Sequence, residues 1–283
     1  MKIKLNIRDL NEDNTAVVGI IVTVLLIGLF LSILVMLNTV YVPQWLEESE
    51  AAHMEEISNQ FAQLKYALDI QSVVNDSTAI SSSVTLGTKE IPFFDKGRTF
   101  DALKIVDNDI SVTFDGTFGT EEYTSDTIQY TSGNSFFVDQ TYIYEAGALI
   151  ISQGDASVLY GKPSILSKDY GENMSFIFTK IQGVSGKTEV SGYGNYPLYT
   201  ECVTPNEDYI ILEGVTDMTI TTDHPQAWKV AMQNALRYSG LNCTISTDPN
   251  SVIIEFTYSG APYYNFYIRE VDINAQISFG LAD

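Results

Sequence analysis

Two histidines, His53 and His224, and two cysteines, Cys202 and Cys243, are all that this chain of 283 residues offers for imidazole or thiol chemistry. Neither imidazole has a cysteine or second histidine at metal-ligand spacing, and no G-x-S-x-G turn presents a serine. A zinc site and a Ser-His-Asp triad are therefore not expected. His53 lies beside Met54 in a helical stretch, and His224 sits between Asp223 and Pro225 at a helix start. Solvated or capping roles are expected for both. "GVSGKT" at 183 to 188 imitates a phosphate-binding loop, but the required spacing would put the first glycine at Ile181. The continuation "EVSGYGNYPLY" also reads as a Gly-rich loop or hairpin and not as the helix such a loop must open. Asp107, Asp109 and Asp115 in "DNDISVTFDG" miss the alternating positions of a calcium loop. No catalytic, cofactor-binding or metal-binding residue is expected. A glycosidase carboxylate pair is defined by distance in space, so sequence spacing cannot assign one.

The cysteines and three sequons acquire meaning only from where the chain resides. In an oxidising compartment Cys202 and Cys243, an even pair, are expected to form a disulfide, with two separate thiols as the other reading. Asn75, Asn173 and Asn242 each begin an N-x-Ser/Thr acceptor pattern, which matters only on the external side of a membrane.

Location is set by the stretch 14–46, which contains no Asp, Glu, Lys or Arg. Its apolar block, 16–42, reaches ~40 Å at the helical rise and so exceeds a hydrocarbon core of ~30 Å. A block this long, with no Ala-x-Ala pattern after it, reads as a retained span in contact with lipid and not as a cleaved leader. Tyr41 and Trp45 fall where an interfacial aromatic belt belongs. Lys2, Lys4 and Arg8 precede the span, and the next basic residue is Lys65. The expectation is a single-pass protein of the cell membrane, with tail 1–15 in the cytoplasm and the C-terminal part extracellular. The net charge of −21 comes from 36 acidic and 15 basic residues. Three of each lie in the first 13 residues, so the acidic excess belongs to the external part, which excludes nucleic acid as a partner.

Beyond Pro43 the side chains of Met54, Ile57, Phe61, Leu64 and Leu68 form one helical stripe. It predicts a helical stalk over 43–72 whose apolar face either packs on the following domain or self-associates. From about residue 73 to 283 short alternating runs with Gly, Asn, Asp and Ser between them predict strands. Val252, Ile254, Phe256 and Tyr258 share a face, and Asp248-Pro249-Asn250 predicts a hairpin turn. The 17 tyrosines and 14 phenylalanines supply a large β core. One helix interrupts the strands, with Asp223 as its cap, Pro225 in its first turn, Gly240 past its end, and Trp228, Ala231 and Ala235 on its buried side. The fold class is mainly β: a transmembrane and stalk helix, then an antiparallel β-sandwich with one short helix and a subdivision near 205.

The tail, "TAVVGIIVTVLLIGLF" and "VPQWLEESEAAHMEEISNQFAQLKYALD" together resemble the N-terminal region of archaeal pilin-like surface proteins. "YTSGNSFFVDQTYIYEAGALI", "HPQAWKVAM" and "YYNFYIREVDI" look like the external part of such a family. The resemblance implies a hydrophobic N-terminal helix carrying a β-rich outer domain at the cell envelope, and no activity. Asp13, Asn14 and Thr15 stand before Ala16 where pilins and archaellins carry basic residues at a processing point. The expected function is a non-enzymatic, membrane-anchored surface protein with a structural or adhesive domain. A processed filament subunit that associates with copies of itself, or with other pilin-like envelope proteins, is the first alternative. An anchored extracellular hydrolase or carbohydrate-binding module is the second.

Overall fold

In the computed structural model, residues 7–74, 77–88, 99–168, 173–203, 208–237, 239–257 and 264–278 are described. Helix α1 (Ile7–Met36), a π-helical turn (Leu37–Tyr41) and helix α2 (Val42–Val74) follow one another without a break. Pro43 has no N–H to donate, and the chain accommodates it by widening just upstream: the Val42 N–H reaches back to the Leu37 carbonyl, five residues away. A proline that would end an ordinary helix is thus absorbed near the helix's midpoint.

The two halves of this helix meet different surroundings. From Val17 to Met36 every large apolar side chain except the half-buried Leu34 is exposed, Leu25 by 68%. The few polar side chains here are satisfied within the helix. Thr23, Ser32, Asn38 and Thr39 each donate to the carbonyl four residues back, at 2.6 to 2.9 Å. In α2, by contrast, Met54, Ile57, Phe61, Leu64 and Leu68 are at most 3% exposed. The expected stripe is present, but it is not a stalk. Of the two readings, packing on the domain is the one found, and α2 is one wall of a core.

Fifteen strands surround it among the described residues. They are β1 (Ile80–Leu86), β2 (Asp101–Gly116), β3 (Gly119–Thr131), β4 (Thr141–Glu145), β5 (Ala148–Gln153), β6 (Ala156–Gly161), β7 (Ile165–Lys168) and β8 (Asn173–Gly183). β9 (Glu189–Gly192), β10 (Gly194–Cys202), β11 (Ile210–Glu213), β12 (Val215–Thr221), β13 (Cys243–Asp248), β14 (Ser251–Phe256) and β15 (Asn265–Ile277) complete the set. One sheet runs β13-β14-β12-β2-β3-β4-β5-β6, with β9 added along β2. The other runs β1-β10-β15-β8-β7, with β11 added along β15. They join where Asp126 of β3 meets Ile181 of β8. The pairing is antiparallel except for β8 and β15, which run parallel over eleven residue pairs. The expected mainly antiparallel β domain is thus present, with one parallel pair within it.

Side chains alternate across a strand, so a strand with core on both sides is buried on both. Tyr142 and Tyr144 of β4 face the α2 stripe, whereas Ile143 between them enters a second core around helix α3 (Pro225–Leu236). The longest strands serve both cores in turn. In β2, Leu103 and Ile105 face α2, and Ile110, Val112 and Phe114 face α3. The switch falls at an irregularity between Val106 and Ile110, where Asn108 adopts φ +49 and its N–H is held by Asp126. In β15, Phe266 and Ile268 face α3, and Val271, Ile273 and Ala275 face α2. Arg269 marks the change; its guanidinium donates to the Ser72 carbonyl in the last turn of α2, against the negative end of the helix dipole.

Pro225 opens α3 as expected, and Trp228 and Ala231 are buried. Asp223 is not its cap: His224 holds that position with no side-chain cap bond, and the helix ends at Leu236, before Gly240. The helix packs on β6 and β13, the outermost strands of the first sheet, so that sheet curls around it and its edges are closed. The hairpin at Pro249 and Asn250 pairs Asp248 with Ser251, and Val252, Ile254 and Phe256 are buried. Tyr258 lies outside the described residues. The expected subdivision near 205 lies outside the described residues; strands on either side of it pair, β12 with β2 and β15 with β8.

Candidate functional site

From Val17 onward α1 presents an apolar surface open to a partner. Among the described residues it is the one helix long and apolar enough to cross a membrane, and the aromatic pair Tyr41 and Trp45 follows its C-terminal end. From Val17 to Ile33 nothing among the described residues covers it.

A second cluster forms where α2 enters the β domain. Glu50 and His53, one helical turn apart, extend the buried stripe toward the span. His53 Nε2 lies 2.9 Å from Asp101 Oδ2, and the Tyr130 hydroxyl donates to the same oxygen at 2.5 Å. The Gly87 N–H reaches Oδ2 at 2.6 Å, and the Gly133 N–H reaches Oδ1 at 2.9 Å. An ionised carboxylate only accepts, so His53 donates as well. Burial by itself raises the Asp101 carboxyl's pKa, but the donors His53, Tyr130, Gly133 and Gly87 outweigh it and hold the group below the usual carboxylate range. Burial, then the neighbouring Asp101 charge, pushes the Tyr130 hydroxyl far above its ordinary value. Beside the cluster a cavity of about 420 Å³ is lined by Ser49, His53, Glu56, Thr85 and Tyr193 among others.

A histidine and an aspartate next to a cavity are the raw material of general-base chemistry. Here the imidazole nitrogen that meets the aspartate also meets Tyr130, at 3.2 Å, and that hydroxyl resists ionisation. The carboxylate's acceptor capacity goes to four donors from α2, β3, the turn after β1 and the loop after β3. The arrangement joins elements; it presents no activated nucleophile. His53, expected to be solvated, is instead buried at the centre of this junction. Its partner is 48 residues away, so no spacing in the sequence announced it.

Glu50 makes a parallel connection. Its buried carboxylate accepts the N–H groups of Ser135, Phe136 and Phe137, at 2.6 to 3.2 Å. In the α3 core, Glu145 accepts from Trp228 Nε1 at 2.5 Å and Thr222 Oγ1 at 3.0 Å. Burial pushes its carboxyl up to about 7 despite these donors. Between about pH 4.5 and 7 the unfolded chain ionises this group while the folded chain does not, so its effect on stability turns unfavourable as pH rises. Replacing it by E145Q is expected to raise stability at pH 8 by up to about 3 kcal/mol and to leave it near wild type at pH 4.5. Urea unfolding at the two pH values measures this; an equal shift at both would contradict a neutral Glu145.

The expected Cys202–Cys243 disulfide is corrected. Cys202 is buried in the α2 core and Cys243 packs against the α3 core, so both sulfurs remain thiols. Reductant is thus expected to leave the melting temperature unchanged, whereas loss of a disulfide costs about 2–4 kcal/mol. A reductant-induced drop in a thermal scan would count against separate thiols. Of the sequons, Asn242 is exposed, Asn173 is half-buried at the start of β8 with Ser175 buried, and Asn75 lies outside the described residues. "GVSGKT" forms the turn between β8 and β9, with Lys187 on Gln276. Asp109 holds Thr127 and Gln129, and Asp115 holds Thr120. Among the described residues no three His, Cys, Asp or Glu side chains converge on a metal position. Compared with models of protein families, with curated proteins and with solved structures, the chain matches none.

Proposed function

We propose that this is a non-enzymatic surface protein of the cell envelope, anchored by α1 in the membrane, with the β domain held outside as a structural or adhesive head. One observation carries the reading: an apolar helix exposed from Val17 to Ile33 continues, without a linker, into a helix that is part of the domain's core. Such a helix transmits the domain's position directly to whatever solvates α1. The internally bonded Thr23, Ser32, Asn38 and Thr39 support an environment that offers no water. Basic residues before the span and their absence up to Lys65 support a cytoplasmic N-terminus. The acidic excess of the remainder suits a soluble external face.

A filament subunit of the pilin-like kind is the second reading, favoured by the missing linker and by Gly19 and Gly28. A side chain at either glycine would meet nothing within 4 Å among the described residues. Nine helical residues put the two on opposite sides of α1, where two neighbouring helices could approach closely. N-terminal sequencing of the mature protein tests the choice. An intact Met1 on a protein extracted only by detergent, with its β domain open to protease added outside intact cells, is the expected result. A start near Ala16 together with surface filaments would replace the anchor by the filament; release by a salt or alkaline wash would defeat both.

A further inference from the structure

The loop joining β3 to β4, residues 132–140, leaves Phe136 46% and Val138 56% exposed while Phe137 turns inward against the α2 core. This loop is not placed at random on the domain. The carboxylate of Glu50 gathers its N–H groups at Ser135, Phe136 and Phe137, and Asn134 braces it by donating to the Val138 carbonyl at 3.0 Å. Glu50 is five residues beyond Trp45, about 7 Å along the helix axis. Helical side chains lean toward the N-terminus, so its carboxylate lies lower still, near the level of Trp45. The burial of Leu46 and Val42, on the same face as Glu50, is an independent sign that the domain's flank reaches down the helix to the residue after Tyr41.

Resting on the membrane reading above, we infer that loop 132–140 is a second membrane contact, with Phe136 and Val138 entering the interfacial zone of the bilayer that holds α1. The surface it fits has uncharged or zwitterionic headgroups. Glu47, Glu48 and Asp139 are exposed nearby, and no basic side chain lies in α2 before Lys65, so an anionic lipid surface would repel this rim. Two contacts at one level, Trp45 on the helix and Phe136 on the loop, fix the domain's tilt as well as its height. A single helix fixes height alone.

The test uses full-length protein in phosphatidylcholine vesicles, with and without lipids brominated near the headgroup, and follows tryptophan emission. W45F leaves only Trp228, which is buried in the α3 core and serves as the unquenched background. F136W in that W45F chain keeps an aromatic at an exposed position, so folding is not at stake. The expected result is that the F136W indole loses emission to brominated lipid at least as strongly as Trp45 does in the native chain. If Trp45 is quenched and the F136W indole is not, the loop contact is wrong and the anchor stands. If neither is quenched, the anchor reading fails and takes this inference with it. Emission from F136W that changes with protein density and ignores bromine would assign the loop to a second copy of the chain and overturn the lipid contact.

Discussion

A chain starting at residue 77 is expected to be unfolded, whereas one starting at Pro43, without the apolar span, is expected to fold and to melt cooperatively. The difference is α2. Met54, Ile57, Phe61, Leu64 and Leu68 are all buried against β1, β2, β3, β4, β8, β10 and β15. At about 1.5–3 kcal/mol for each fully buried apolar side chain, these five supply on the order of 10 kcal/mol, as much as the whole net stability of an ordinary domain. Removing them would also open Tyr130, Tyr142, Val271 and Ile273 to water and leave Asp101 without His53. Phe61→Ala is a graded version of the same change. The Phe61 ring lies 6.1 Å from that of Tyr130 and 5.6 Å from that of Tyr142, and its loss should cost about 3–5 kcal/mol. Near-ultraviolet circular dichroism and thermal melts of both truncations decide the matter. A cooperative transition in the residue-77 chain would show that α2 is a stalk after all.

Why the sequence predicted a stalk and the structure holds a core helix is a matter of what periodicity reports. The spacing of Met54, Ile57, Phe61, Leu64 and Leu68 says that one face of a helix is buried, and is silent on what buries it. The strands were legible because alternation is local: Val252, Ile254 and Phe256 announce their shared face within seven residues. Local signals do not distinguish a parallel from an antiparallel neighbour, so β8 beside β15 was out of reach. Nor do they give distance between cysteines; an even count in a domain read as external suggested a bond that two separate cores prevent. The candidate sites divide the same way. The exposed apolar helix could be read directly because it is contiguous, whereas the junction of His53, Asp101 and Tyr130 joins positions that only the folded chain brings together.

That junction carries the second large effect. Asp101→Ala is expected to cost about 3–5 kcal/mol, because a fully buried carboxylate is removed and the donors that met it lose their acceptor. Asp101→Asn is not a mild change either. Its amide group would turn two donors toward at least one of Gly87 N–H, Tyr130 O–H or Gly133 N–H, each of which needs an acceptor. The pH dependence separates this effect from loss of packing. Asp101 is held below its ordinary pKa in the folded chain, so its contribution is present above the unfolded value near 3.8 and lost as pH falls through the lower folded value. Glu145 works in the opposite sense, weakening the fold as pH rises toward about 7. Wild-type stability should therefore decline on both sides of a maximum near pH 4 to 5, and Asp101→Asn should flatten the acid side alone. Tyr130→Phe removes one donor and keeps the ring, so combining it with Asp101→Asn should cost less than the two changes measured separately. Urea unfolding of the four proteins from pH 3 to 8 provides the comparison. If the single costs simply add and the acid limb survives in Asp101→Asn, the carboxylate is not what ties α2 to the strands, and the apolar stripe must hold them unaided.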